Sequence, residues 1–180
     1  MPRLFTAIEI PESIRRKIAC LDLPAADVAR ITASEGLHIT LHFIGEVADS
    51  ICDAAQVRLR SVITPAFEQK LRSAGVFANR GRPEILWVGV DQSAELLTLR
   101  EAIGDVLTSL EIKLDTREFN PHATVARLKR PAPSVAAEFR QRNSPWYSWF
   151  TARSFALYSV APGGQDPHYR VVEEYSLRAL

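Results

Sequence analysis

His38-Ile39-Thr40 and His122-Ala123-Thr124 set an imidazole two residues before a hydroxyl, twice in a chain of 180 residues. Near neutral pH a histidine ring serves equally as acid or base. Two such rings facing one phosphorus atom could divide the work. A neutral ring takes a proton from water while a charged one gives a proton to the leaving oxygen. The threonine hydroxyls would hold the non-bridging phosphate oxygens and keep the phosphorus in line between the rings. Donors aimed at a pentacoordinate phosphorane would stabilise its charge. This chemistry needs no metal, and no cofactor is expected. One His-x-Thr tripeptide is a weak pattern, and its recurrence gives it weight.

The side chains must first be brought to a common face. Leu37, Ile39, Leu41 and Phe43 alternate with His38, Thr40 and His42, the period of a half-buried strand. Alternate residues of a strand share a face, so His38 and Thr40 lie roughly 6–7 Å apart on it. His122 and Thr124 follow the same rule. A metal reading starts from His38 and His42, which have the four-residue spacing of a zinc-binding helix. The glutamate of such a helix is absent, and on a strand the two rings would stand roughly 13 Å apart. His42 is therefore expected at the solvent or the cleft edge, and His168 in a loop or at a strand start. No GxSxG elbow, Walker loop or Rossmann glycine pattern occurs.

The flanking sequence reads as strand, helix, His-x-Thr strand, helix, strand, and then repeats. Leu4 to Ile10 is the first strand. A helix is expected from Glu12 to about Arg30, with a break at Pro24. After the first motif strand, ending at Gly45, Asp49 is the expected N-cap of a helix to about Val62. Strands follow over Phe67–Phe77 and Ile85–Val90, joined by the turn Asn79-Arg80-Gly81-Arg82-Pro83, whose arginines are a candidate cationic rim. Ser93 caps a helix to about Leu110 with an apolar stripe of Leu96, Leu99, Ile103, Val106, Leu107 and Leu110. The second motif strand and a helix from Ser134 to about Gln141 come next. Strands over Trp146–Phe150, Ser154–Val160 and Tyr169–Leu177 end the chain. The fold class expected is α+β: two pseudo-symmetric lobes, each an antiparallel sheet with helices outside, and the active-site cleft between them. Residues 1–180 form a single bilobal domain with approximate repeats at 3–78 and 84–177, and terminal strands could be exchanged between the lobes.

Composition narrows the class. Residues are 47% hydrophobic and 24% charged, enough to bury a core, and the net charge of +1 excludes broad electrostatic capture of nucleic acid. Recognition of a single phosphate at an RNA end needs only a few local cations. Cys20 and Cys52 have no CxxC spacing and read as reduced core residues of a cytoplasmic protein. No apolar run reaches membrane-spanning length, and the N-terminus lacks a signal-peptide pattern. The expected state is a monomer with no membrane partner.

Residues Gly36-Leu37-His38-Ile39-Thr40-Leu41-His42-Phe43-Ile44-Gly45-Glu46 and Asn120-Pro121-His122-Ala123-Thr124-Val125-Ala126-Arg127 resemble the two signatures of the 2H phosphoesterase superfamily. More narrowly, the chain resembles the bacterial and archaeal RNA 2′,3′-cyclic phosphodiesterases, once named 2′-5′ RNA ligases. Arg3 to Ile8 with Pro11, Leu86 to Val90, and Phe155 to Ser159 with Gly163 and Tyr169 extend the likeness over nearly the whole chain. The resemblance implies that His38 is the proton donor, His122 the proton acceptor, and Thr40 and Thr124 the phosphate ligands. It implies hydrolysis of an RNA 2′,3′-cyclic phosphate to a 2′-phosphate, so the expected partners are RNA ends or oligonucleotides bearing that group. Arg127 matches a family arginine near the phosphate, yet strict alternation from His122 turns it to the opposite face unless the strand bulges. Phe43 is either a substrate contact or a core residue, as is Tyr169. Ile31 or Thr32 stands where the family often has an aromatic residue.

Overall fold

The computed structural model describes residues 1–78, 81–160 and 169–179. Arg80, Gly163 and His168 lie outside them. The strands are β1 Arg3–Glu9, β2 Ala29–Ile31, β3 His38–Glu46, β4 Phe67–Phe77, β5 Ile85–Val90, β6 His122–Leu128, β7 Tyr147–Ala152, β8 Ser154–Val160 and β9 Tyr169–Ser176. The helices are α1 Glu12–Ala19, α2 Asp49–Arg58, α3 Ala94–Thr108 and α4 Pro133–Arg142. This is the expected α+β class: two sheets whose strands all pair antiparallel, one in the order β3-β1-β8-β9 and the other β2-β6-β5-β4-β7.

Each sheet draws strands from both halves of the sequence. The first combines β1 and β3 with β8 and β9, and the second combines β5 and β6 with β4 and β7. β4, the last strand of the first strand-helix-strand-helix-strand run, pairs with β5, the first strand of the second. β8, near the end of the second run, pairs with β1, the first strand of the first. The exchange ties the two halves through backbone ladders. Burying Leu71 of β4 against Val90 of β5 is one result.

One face of each sheet is covered by helices. Of the stripe foreseen on α3, Leu96, Leu99, Ile103 and Leu107 are wholly buried, while Val106 and, just past the helix end, Leu110 are only partly so. Ser93 caps the helix by accepting from the Leu96 N–H at 3.2 Å. Other elements differ from the sequence expectation. α1 stops at Ala19, and the chain then forms the short strand β2, which pairs with β6. Pro24 prevents the helix from continuing through this segment. Asp49 is the first residue of α2 and Ala48 occupies the cap position, so the carboxylate meets the helix dipole without capping it. Cys20 is exposed and only Cys52 is partly buried, against the expectation that both lie in the core. Cys20 follows the last turn of a short helix whose buried stripe is Ile14 and Ile18.

The opposite faces carry the two motifs. Here Gly75 is indispensable because the indole of Trp87 lies across it. A β-carbon at this position would stand 2.0 Å from Trp87 Cη2. Gly75→Ala should therefore expel the ring, destabilising the fold by about 1–3 kcal/mol. Thermal unfolding with tryptophan emission measures this, and a wild-type melting temperature would refute the packing described. Among the described residues no helix is long and apolar enough to cross a membrane.

Candidate active site

His38 begins β3 and His122 begins β6, and the backbone fixes both rings in the same way. The Nδ1–H of His38 donates to the Gly36 carbonyl at 2.7 Å, and that of His122 donates to the Asn120 carbonyl at 2.7 Å. A carbonyl only accepts, so each neutral ring carries its proton on Nδ1 and keeps the Nε2 lone pair for chemistry. Both rings stand among aromatic side chains. Around His38 are Phe5 at 4.9 Å, Tyr158 at 6.0 Å and the edge of Tyr169 at 5.0 Å. Phe77 meets His122 edge-on at 4.7 Å, with Trp87 at 6.4 Å.

These surroundings set the protonation equilibria. Burial among the rings pushes His38 down to about 4, against a smaller upward pull from the Gly36 carbonyl, and the charges of His122 and Arg127 depress it further. Burial is also the main cause of the lowered His122 pKa, again with a contribution from Arg127. The two imidazoles, far apart in sequence, therefore lie within electrostatic reach of each other and of one guanidinium. Both are neutral at pH 7 with no anion between them, and charging both together is opposed by their repulsion.

Thr40 and Thr124 are half-buried on the same faces as their histidines. Beyond them, simple alternation fails at equivalent places in the two strands. Ala7 is opposite Thr40 but Thr6 is opposite His42, leaving Leu41 as an extra residue. Trp87 is opposite Thr124 but Leu86 is opposite Ala126, leaving Val125 extra. Each is a β-bulge, and a bulge exchanges the faces of all residues after it. Leu41 and His42 are consecutively buried, as are Val125 and Ala126. Phe43 and Arg127 consequently turn outward onto the histidine faces.

Three sequence expectations are settled by this geometry. Arg127 lies on the His122 face, and its charge is felt by His38, His122 and Tyr169. Phe43 does not join the core. It is 57% exposed and sits 6.3 Å from Phe5, the ring that contacts His38. His42 is not at the solvent or the cleft edge: it is 7% exposed, packed under α3, with Nε2–H donating to the Arg100 carbonyl at 2.8 Å. The Arg100 Nε–H in turn donates to the carbonyl of Leu41, the extra residue, at 3.2 Å. Arg100 and His42 thus clamp the bulge that turns Phe43 outward. With His42 held on the helix side, it cannot share a ligand sphere with His38.

Tyr169 contacts His38 and Phe5, at 5.0 and 5.3 Å between ring centres. Arg82 is exposed in its turn. Ile31 is exposed and Thr32 partly so, and neither brings a ring to the site. Phe5, Phe77, Trp87 and Tyr158 were not singled out as site residues in the sequence because they sit on strands that merely look hydrophobic. Only the sheet order reveals them as walls: β1 and β5 pair with the motif strands β3 and β6, and β8 and β4 lie one strand further out. Among the described residues no group of three or more His, Cys, Asp or Glu is arranged to hold a metal ion.

Comparison with known proteins finds relatives in both sequence and fold. Residues 10–163 match the family model of the 2′-5′ RNA ligase superfamily. Two similar curated proteins are named RNA 2′,3′-cyclic phosphodiesterase. One, from Archaeoglobus fulgidus, is 32% identical over 170 residues, covering 93% of this chain and 96% of its own. The other, from Aeropyrum pernix, is 32% identical over 164 residues, covering 89% and 91%. Among solved structures, TT0787 of Thermus thermophilus has 27% identity and a TM-score of 0.77, with 98% of each chain covered. Escherichia coli LigT complexed with 3′-AMP has 24% identity and a TM-score of 0.79 over 98% of this chain and 99% of that one, a likeness of fold.

Proposed function

The chain belongs to the 2′-5′ RNA ligase superfamily, and from that premise we propose that it hydrolyses RNA 2′,3′-cyclic phosphate ends to 2′-phosphates by two-histidine, metal-independent acid–base catalysis. The observation that carries this reading is the matched pair of imidazoles, each with Nδ1 engaged by the carbonyl two residues before it and Nε2 left for reaction. Similar curated proteins named RNA 2′,3′-cyclic phosphodiesterase support the choice of substrate.

In the reaction, water attacks phosphorus while His122 Nε2 takes its proton. The bond from phosphorus to the 3′-oxygen breaks, and that oxygen receives the proton from His38. The hydroxyls of Thr40 and Thr124 and the guanidinium of Arg127 hold the non-bridging oxygens as charge accumulates. Phe43 and Tyr169 offer ring faces to the terminal nucleotide. Assigning His38 as donor and His122 as acceptor follows the family pattern. With its low pKa in the free protein, His38 acquires its proton when the anionic phosphate enters, because a nearby negative charge favours the imidazolium.

The direct test supplies an oligoribonucleotide ending in a 2′,3′-cyclic phosphate, with excess chelator present. Turnover to a 2′-phosphate is expected, and dependence on an added metal would refute the mechanism. The pH dependence carries a sign. One ring must be charged and the other neutral, and both pKa values lie below 6.5 in the free protein. A plot of kcat/KM should therefore fall towards acid as His122 takes up a proton and towards base as His38, at about 4 in the free protein, loses its own. The optimum then lies on the acid side of neutrality. Substrate phosphate raises both values, so the limbs of kcat should lie at higher pH. Coincident profiles would contradict this coupling.

A further inference from the structure

The face of the second sheet that carries His122 continues well beyond it. Gly89 of β5 stands directly opposite His122, Arg72 of β4 is opposite Gly89, and Tyr147 of β7 is opposite Arg72. Directly paired residues point to the same side of a sheet. The imidazole and the Tyr147 ring therefore share one row, three strands or roughly 14 Å apart. Gly89 puts no side chain into the interval. Trp149, two residues after Tyr147 and opposite Lys70, occupies the same face.

Tyr147 is 58% exposed and Trp149 54%, although β7 turns Ser148, Phe150 and Ala152 into the core. Two large rings are thus left more than half in solvent on an edge strand, Tyr147 in register with His122. The neighbouring cations are already matched: Arg72 pairs with Asp91 at 2.5 Å and Lys70 with Glu68 at 3.5 Å. An open groove of about 420 Å³ runs beside them, lined by Lys70 and Arg72, by the carboxylates of Glu68, Asp91 and Glu95, and by Gln92 and Ser93.

We propose that Tyr147 and Trp149 form a stacking platform for the single-stranded RNA leading up to the reacting terminus. This rests on the proposed hydrolysis of RNA cyclic-phosphate ends. A 2′,3′-cyclic phosphate closes the 3′ end of a strand, so the remaining nucleotides must leave the site in one direction. The row from His122 to Tyr147 gives that strand a continuous surface. Aromatic faces bind any base, because every base has a π-face. With the cations paired, stacking outweighs phosphate attraction, so binding should be less sensitive to salt than in a cationic groove.

The test compares a 2′,3′-cyclic mononucleotide with a short oligoribonucleotide carrying the same cyclic end. Trp149→Ala and Tyr147→Ala should each lower kcat/KM about tenfold on the oligonucleotide, mainly through KM, and leave the mononucleotide unchanged. Trp149→Phe should recover most of the loss. Unchanged oligonucleotide kinetics in Trp149→Ala, or an equal loss on both substrates, would overturn the platform. Oligonucleotide affinity measured by fluorescence anisotropy separates this question from hydrolysis. If the wild type hydrolyses neither substrate, the functional reading fails, but a weaker affinity in the double variant still supports the platform. An undiminished affinity overturns it, as does a dimer in sedimentation that Trp149→Ala dissolves, which would assign the rings to a second copy of the chain.

Discussion

His38→Ala and His122→Ala should each reduce kcat on a cyclic-phosphate-ended RNA by about a hundredfold or more, the scale of a positioned general acid or base. Neither change should raise KM greatly, since the hydroxyls and Arg127 still face the phosphate. Combining them should cost far less than the product of the single losses, because an acid and a base that act in one step fail as a unit. Folding needs a separate control at position 38. That ring packs against Phe5 and Tyr169 at about 5 Å, and its removal leaves a hole. His38→Gln fills most of the space without restoring a proton carrier, so it should stay inactive with a near-native melting temperature. Single-turnover hydrolysis of a labelled oligonucleotide reads all of these. Either alanine variant turning over at the wild-type rate would rule out the pair.

Arg127→Met should lower kcat/KM by about a hundredfold, as removal of one charge-stabilising donor does elsewhere. It should also move the pH profile. The Arg127 charge depresses both histidines, so without it both pKa values rise and both limbs of kcat/KM shift towards base. Arg127→Lys keeps a charge but not the two-pronged geometry, and should recover the pH shift better than the rate. An arginine serving only as a surface ion-pair partner predicts neither effect. Stability should change little, within about 0.5 kcal/mol for an exposed side chain outside the packed core. A lost rate with an unmoved profile would mean that Arg127 binds substrate without governing the rings.

The histidine and threonine pairs were legible because a strand's period of two is a local property. Within His38-Ile39-Thr40 nothing beyond the tripeptide is needed to put ring and hydroxyl on one face. The α+β class and the helix-strand order followed from similarly local patterns, such as the α3 stripe from Leu96 to Leu107. Features two residues further on were not legible. Whether Phe43 faces core or cleft turns on the extra residue Leu41, whose carbonyl is held by Arg100 from a helix more than fifty positions away. The Arg127 face turns on the same kind of slip against β5, at Val125.

His42 shows the limit most directly. Alternation groups it with His38 and Thr40, yet the bulge turns it inward and the Arg100 carbonyl fixes it there. The sheet assignments of β4 and β8 were open for a related reason. The pattern of β4 specifies a buried and an exposed side and that of β8 is a continuous apolar run, and either fits either sheet until its neighbours are known. The amino-acid order by itself therefore determined which imidazoles and hydroxyls are paired and which side of each strand they occupy at the motif. Tertiary structure decided which guanidinium and which aromatic rings join them, because register and bulges are set by pairing between segments distant in the chain.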